Sequence, residues 1–201
     1  MNKLVIASNN PGKLREIEAI LAPLAIEVVT QGALGVSEAE EPHGTFIENA
    51  LTKARHASRI TGLPALADDS GVCVHVLGGA PGVHSARYAE GAASGREDQD
   101  RRNNEKLLQA LSSESDRRAH YYCVIVLLRH ADDPQPLIAE AEWHGEILRE
   151  PRGSGGFGYD PLFLVPEFGR TGAELQPEEK NRVSHRVRAL AQLVVRLRAS
   201  Q

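Results

Sequence analysis

Positive charge is scarce in this chain of 201 residues: Lys and Arg number 23 against 27 Asp and Glu, a formal net charge of −4 at pH 7. Bulk nucleic-acid binding usually needs a basic surface, so that class is set aside, and any anionic ligand has to be held by a local cluster of cations. Cysteine is nearly absent. The two present, Cys73 and Cys123, lie in the apolar runs VCVHV and YYCVIVLL with no metal-ligand spacing, which predicts buried free thiols in a reducing compartment. Long apolar runs are also missing. The longest, Tyr121 to Leu128, is far too short to cross a bilayer, and the opening MNKLVIASNN turns polar too soon for a signal peptide. The expectation is a cytoplasmic protein with no membrane partner. No repeat or low-complexity tract interrupts the chain, so 1–201, at 41% hydrophobic residues, reads as a single bilobed domain with a sizeable core.

What is present alternates between strand and helix patterns. KLVIAS (3–8) reads as a buried strand, followed by a helix with Asn10 as N-cap, Pro11 at its first position and an apolar stripe of Leu14, Ile17, Ile20 and Leu21. IEVVTQ (26–31) is a second strand, and Thr45 opens a helix running to about Thr61, with Gly62 as C-cap. LPALA (63–67) and VCVHVLG (72–78) read as two strand runs flanking Asp68 and Asp69; GGAPGVHSARY (78–88) reads as a glycine-rich loop. A helix over roughly 97–112, strands at 121–129 and 137–148, a short strand PLFLVP (161–166) and a final helix from about Ser184 to Arg198 complete the pattern. This order predicts an α/β fold with a mixed sheet.

Several stretches carry chemistry. ALADDSGV (65–72) ends an apolar run on two adjacent carboxylates, which reads as a turn or as a pair facing a cation. SNNPGK (8–13) joins a strand to a helix, where backbone N–H groups and Lys13 suit an anion; a capped helix start explains it equally well, and Ala7 and Leu14 exclude a P-loop. GSGGFGYD (153–160) contains a formal G-x-G-x-x-G but leads into a strand, which rules out a dinucleotide fingerprint, and no H-R-D or D-F-G accompanies it. Aromatics make up only 4% of the chain, so Phe157 and Tyr159 in one glycine loop suggest a face for a planar ligand. Asn49, Lys53 and His56 form a polar stripe on one helix, SEAEEPHG (37–44) carries Glu38, Glu40 and Glu41, and EEKNRVSHRVRAL (178–190) groups Lys180, His185 and Arg186. Together, the cations, the carboxylates and the aromatic loop point to a phosphorylated planar ligand with a hard divalent cation.

The set SNNPGK (8–13), EEPHGTFIENALTKA (40–54), ALADDSG (65–71), GGAPGVHSARY (78–88), FGYDPLF (157–163) and EEKNRVSHR (178–186) resembles the non-canonical purine nucleoside triphosphate pyrophosphatases, the inosine triphosphatase family. The resemblance spans nearly the whole chain. It implies hydrolysis of ITP, dITP and XTP to the monophosphate and pyrophosphate, Mg²⁺ dependence, a homodimer, and an elongated mixed sheet with flanking helices forming two lobes around a central substrate cleft. It also implies residue roles. Ser8, Asn9, Asn10, Pro11, Gly12 and Lys13 would bind the triphosphate with Lys53; Glu41 and Asp69 would serve the metal, with Asp69 also the proton acceptor and Ser70 touching substrate. Phe157, Gly158, Tyr159, Asp160, Lys180, His185 and Arg186 would hold the nucleoside, with Arg186 or the backbone N–H groups near Ser184 and His185 as candidate donors to its C6 carbonyl. A pyrophosphatase for modified pyrimidine nucleotides and a nucleotide-sensing module without catalysis stay open beside this reading.

Overall fold

The first strand, β1 (Lys3–Ile6), carries Leu4, Val5 and Ile6 with no solvent exposure, so both faces of the sheet are covered here. The computed structural model describes residues 1–24 and 26–199, and in it β1 runs parallel to β2 (Glu27–Thr30) and to β3 (Ala65–Val74). With β4 (Arg118–Leu128), β5 (Leu137–Ile147), β6 (Phe163–Val165) and β7 (Arg170–Thr171), they form a seven-stranded sheet in the order β2-β1-β3-β4-β5-β6-β7. The β5–β6 and β6–β7 pairs are antiparallel, so the sheet is mixed, as the strand and helix pattern predicts. Among the described residues five α-helices accompany it: α1 (Pro11–Leu21), α2 (Phe46–Thr61), α3 (Arg96–Ala110), α4 (Pro177–Val183) and α5 (His185–Ala199). Among the described residues no helix is long and apolar enough to cross a membrane.

The chain divides into two units. Unit 1 comprises Met1–Asp69, Cys123–Ala141 and His185–Gln201; unit 2 comprises Ser70–Tyr122 and Glu142–Ser184. In unit 1, Asn10 caps α1 by accepting the N–H groups of Gly12 (3.0 Å) and Lys13 (3.4 Å), and Pro11 opens the helix. Ile17 and Leu21 of its apolar stripe are buried against Leu4, Ile6, Leu66, Ile125 and the α5 residues Ala189, Leu190 and Leu193, while Leu14 and Ile20 pack at the edge. Thr45 caps α2 through the Glu48 N–H, and Gly62, at φ 69°, closes it by donating to the Ser58 carbonyl. Unit 2 has its own core, built around Tyr121, Trp143 and Phe163 with Leu107 and Leu111. The Tyr121 and Phe163 rings meet edge to face at 4.7 Å.

Three expectations are corrected. Asp68 and Asp69 do not stand where a strand runs out: β3 is one strand passing straight through them. Asp, Ser and Gly favour turns locally, but here buried side-chain partners override that preference. At Gly71 any Cβ would collide with the Gly82 carbonyl oxygen and the Ser85 hydroxyl, whose oxygen accepts the Val72 N–H at 2.9 Å. Second, Gly82–Arg87 in the glycine-rich stretch forms 3₁₀ turns, and Pro177–Val183 forms a short helix absent from the sequence reading, started by a Gln176–Glu179 capping box. Third, only Cys123 is buried. Cys73 lies half-buried, because Val72 and Val74 take the core side of β3 and alternation turns residue 73 the other way.

Both thiols are free, and neither is activated. Burial, then the charge of Glu142, pushes Cys73 up to about 11, and burial pushes Cys123 up to about 12. Native protein treated with iodoacetamide at pH 8 is therefore expected to stay almost unmodified by mass spectrometry, with both cysteines alkylated once the chain is unfolded. Rapid native labelling of Cys123 would contradict this packing.

Candidate active site

Asp68 and Asp69 are neighbours in sequence but not in environment. Successive strand residues point to opposite faces, and each carboxylate makes its direct ion pairs with different cations of unit 1. On the side shared with Leu66, Lys13 Nζ lies 3.0 Å from Asp68 Oδ2, and Arg186 Nε donates to the same oxygen at 3.1 Å. Arg186 also donates to Glu16 through Nη1. Asp68 is 1% exposed and Arg186 2%, so this is an ion network inside the protein. Burial alone would raise the Asp68 carboxyl, yet Lys13, Arg186 and Lys53 outweigh it and hold the group well below the usual carboxylate range.

On the other face Asp69 meets α2. Lys53 Nζ donates to Asp69 Oδ1 at 2.9 Å and to Glu41 Oε1 at 2.7 Å, bridging the two carboxylates. Asn49, one turn earlier, donates to Asp69 Oδ2 at 3.4 Å and to the His43 carbonyl at 3.3 Å, and accepts the His43 N–H at 3.1 Å. It therefore ties the segment bearing Glu41 to the strand bearing Asp69. Burial raises the Asp69 carboxyl, against the opposing charges of Lys53 and Lys13. Lys53 is likewise raised: its burial works downward, but Asp69, Asp68 and Glu41 prevail.

The turn Ser8 to Lys13 is half-exposed, with the Ser8 hydroxyl oxygen accepting the Asn10 N–H at 3.2 Å and the Asn9 amide donating to Glu38 at 3.1 Å. Ser70 follows Asp69 in β3 and is half-buried. His185, at 4% exposure, begins α5.

Unit 2 holds the remaining residues. Phe157 is half-buried, with Lys180 Nζ 4.9 Å and Arg96 Cζ 5.6 Å from its ring centroid. Asp160 lies beneath the loop, 2% exposed, accepting the Phe157 N–H at 2.8 Å and a Lys180 hydrogen bond at 2.6 Å. A Cβ at Gly156 would collide with that carboxylate. Tyr159 is buried too, and its hydroxyl donates to the Ser85 carbonyl at 2.9 Å.

The structure thus brings together Lys13, Asp68 and Arg186; Lys53, Glu41 and Asp69; and Phe157, Asp160 and Lys180. Arg186, expected at the edge of a base, holds Asp68 through Nε and Glu16 through Nη1, two nitrogens of a guanidinium that carries five N–H donors. Glu16 and Asn49 were absent from the sequence-derived site. Asn49 was visible as a polar position four residues before Lys53, whereas Glu16 reads as an ordinary helix glutamate three residues after Lys13. Among the described residues no group of three metal-ligating side chains is assembled.

Fold and site define a class: an α/β protein of mixed sheet, with a capped strand-to-helix turn and a lysine-bridged carboxylate pair suited to a phosphorylated ligand. The chain belongs to the Ham1 family, whose profile matches residues 4–196. It is 64% identical to a dITP/XTP pyrophosphatase of Ralstonia nicotianae over 98% of each chain. It is 68% identical to another from Nitrosomonas europaea, over 96% of this chain and 93% of that one. Of solved structures, a HAM1 protein from Coxiella burnetii, 49% identical, matches with a TM-score of 0.90 over 99% of this chain and 100% of that one.

Removing one partner of a buried ion pair strands the other charge and typically costs about 3–5 kcal/mol. Arg186→Met is expected to lose stability of that order in urea unfolding, whereas Lys3→Met, which breaks an exposed pair with Glu27, should change it by no more than about 0.5 kcal/mol. Equal stabilities for the two variants would place Arg186 outside the network.

Proposed function

We propose that this chain hydrolyses the non-canonical purine nucleoside triphosphates dITP, ITP and XTP to the monophosphate and pyrophosphate, clearing deaminated purines from the nucleotide pool. The activity named for its Ralstonia nicotianae and Nitrosomonas europaea relatives supports the substrate class. The observation that carries the chemistry is the setting of Asp69, a buried carboxylate held in place by Lys53 and Asn49. A carboxylate fixed in this way can take the proton of an attacking water, so Asp69 is the general base in this reading. Ser8, Asn9, Asn10, Pro11, Gly12 and Lys13 take phosphate oxygens at the N-terminal end of α1, where backbone N–H groups and a lysine favour negative charge. Lys53 adds a second ammonium for the triphosphate.

Glu41 and Asp69 suit a hard divalent cation, since both already converge on one ammonium, Lys53 Nζ, and a cation there would offset the burial of Asp69. With two carboxylates from the protein, substrate phosphates and water would complete the coordination, which matches the habit of Mg²⁺. When bound, Mg²⁺ would neutralise charge developing on the phosphate oxygens.

Phe157 offers its ring face to the purine, and Gly158, Tyr159, Asp160 and Lys180 shape that loop. Stacking does not distinguish purines, so the C6 carbonyl has to be read by hydrogen-bond donors. In this reading those donors are Arg186 or the backbone N–H groups near Ser184 and His185. A site built on such a bond can reject the amino-bearing analogue by ~10⁴-fold. The working form in this reading is a cytoplasmic homodimer.

Pyrophosphate release from dITP, ITP, XTP, ATP and GTP, with and without Mg²⁺, tests the assignment. The expected result is metal-dependent release from the first three and little from ATP. Asp69→Asn should stay folded and bind nucleotide while losing ~10²–10⁴-fold in kcat. Comparable efficiency on ATP and ITP would defeat the substrate reading, and an active Asp69→Asn would defeat the choice of base.

A further inference from the structure

Helix α3 turns one stripe toward the glycine-rich loop of unit 2. Arg96, Asp100 and Asn104 follow one another at spacings of four, so they share a face. Arg96 lies over the Phe157 ring, Asp100 Oδ2 accepts the Gly158 N–H at 2.9 Å, and Asn104 Nδ2 donates to the Gly158 carbonyl at 2.8 Å. Both backbone groups of a single residue are thus taken by two side chains more than fifty positions away. Gly158 sits at φ 62°, a conformation open to glycine and rare for other residues. The same Asn104 Nδ2 donates to the Asp100 carbonyl at 2.7 Å, which orients the amide toward the loop.

We propose that Asp100 and Asn104 are positioning residues for the nucleoside end of the reaction, fixing the peptide planes at Gly158 and through them the Phe157 ring. This rests on the reading of Phe157 as the purine platform. Glycine-rich backbone loses the most freedom on ordering, and a loop ordered before binding spares the ligand that cost. Asp160 fixes the N–H of Phe157 from below, and α3 fixes the next residue from the side. Both side chains hydrogen-bond to the loop and helix of unit 2, so their loss should weaken binding without slowing the chemical step.

The test is steady-state kinetics on dITP with Asp100→Ala, Asn104→Ala and Asp100→Asn, thermal melting to establish folding, and calorimetric titration of dIMP into each. Both alanine variants are expected to raise KM and the dIMP dissociation constant about tenfold, with kcat within about threefold of the unmodified protein. Asp100→Asn should restore KM, because its amide oxygen still accepts the Gly158 N–H. If Asp100→Ala fails to fold, Asn104→Ala decides alone. KM and dIMP affinity unchanged in the folded variants would overturn the proposal, as would Asp100→Asn being as impaired as Asp100→Ala. An unmodified protein that binds dIMP but releases no pyrophosphate would sink the catalytic reading, and the dIMP constants would then decide the clamp. One that does neither sinks both.

Discussion

A carboxylate fully enclosed by protein stays ionised only if positive charge is brought in with it, and Asp68 imposes that condition on unit 1. Lys13 reaches it from the first turn of α1 and Arg186 from the first turn of α5. Glu16 then balances the second positive charge, so that four buried or partly buried groups close to neutrality. Two helices that pack through Ile17, Leu21, Ala189 and Leu190 are also tied at their starts by charge. The turn from Ser8 to Lys13 owes its placement to this tie, because Lys13 and the N–H groups beside it belong to the same helix start.

Asp160 plays the corresponding part in unit 2. It is a carboxylate without solvent that takes an ammonium from Lys180 and a backbone N–H from Phe157. Its effect is on shape, not on charge. The loop bends tightly over it at Gly156, where no side chain fits, and so brings an aromatic ring to the surface while Tyr159 turns inward onto Ser85. Aromatic residues are few in this chain, and most of those in unit 2 are spent on its core; Phe157 is left half-exposed because the backbone beneath it is pinned.

Local chemistry made much of this legible. Asn10 with Pro11, and Thr45 with Gly62, mark helix ends by rules that need no tertiary information, and α1 and α2 begin and end accordingly. The residues Lys13, Lys53, Glu41 and Asp69 were visible as charge types in suggestive places. The failures have physical causes. Asp-Asp-Ser-Gly follows turn statistics, and only the distant cations reveal why it runs on as strand. The seven-residue α4 is too short for a period to show. The pairing of Arg186 with Asp68 spans 118 positions, so no local pattern announces it. Asp100 and Asn104 sit in a polar helix whose working stripe is defined only by the loop against it.

The alternation of β3 carries a consequence for assembly of the sheet. Leu66 and Asp68 share one face, Ala67 and Asp69 the other, and each face has partners fitted to it: large aliphatics with Lys13 and Arg186, or α2 with Lys53 and Asn49. A slip of one position against β1 would exchange the faces, sending each carboxylate to the wrong side and a leucine into the place of an alanine. Two adjacent acids therefore act as an alignment mark for the growing sheet, correct in one pairing and costly in its neighbours. The charges that hold the two carboxylates in place also help the chain find a single way to fold.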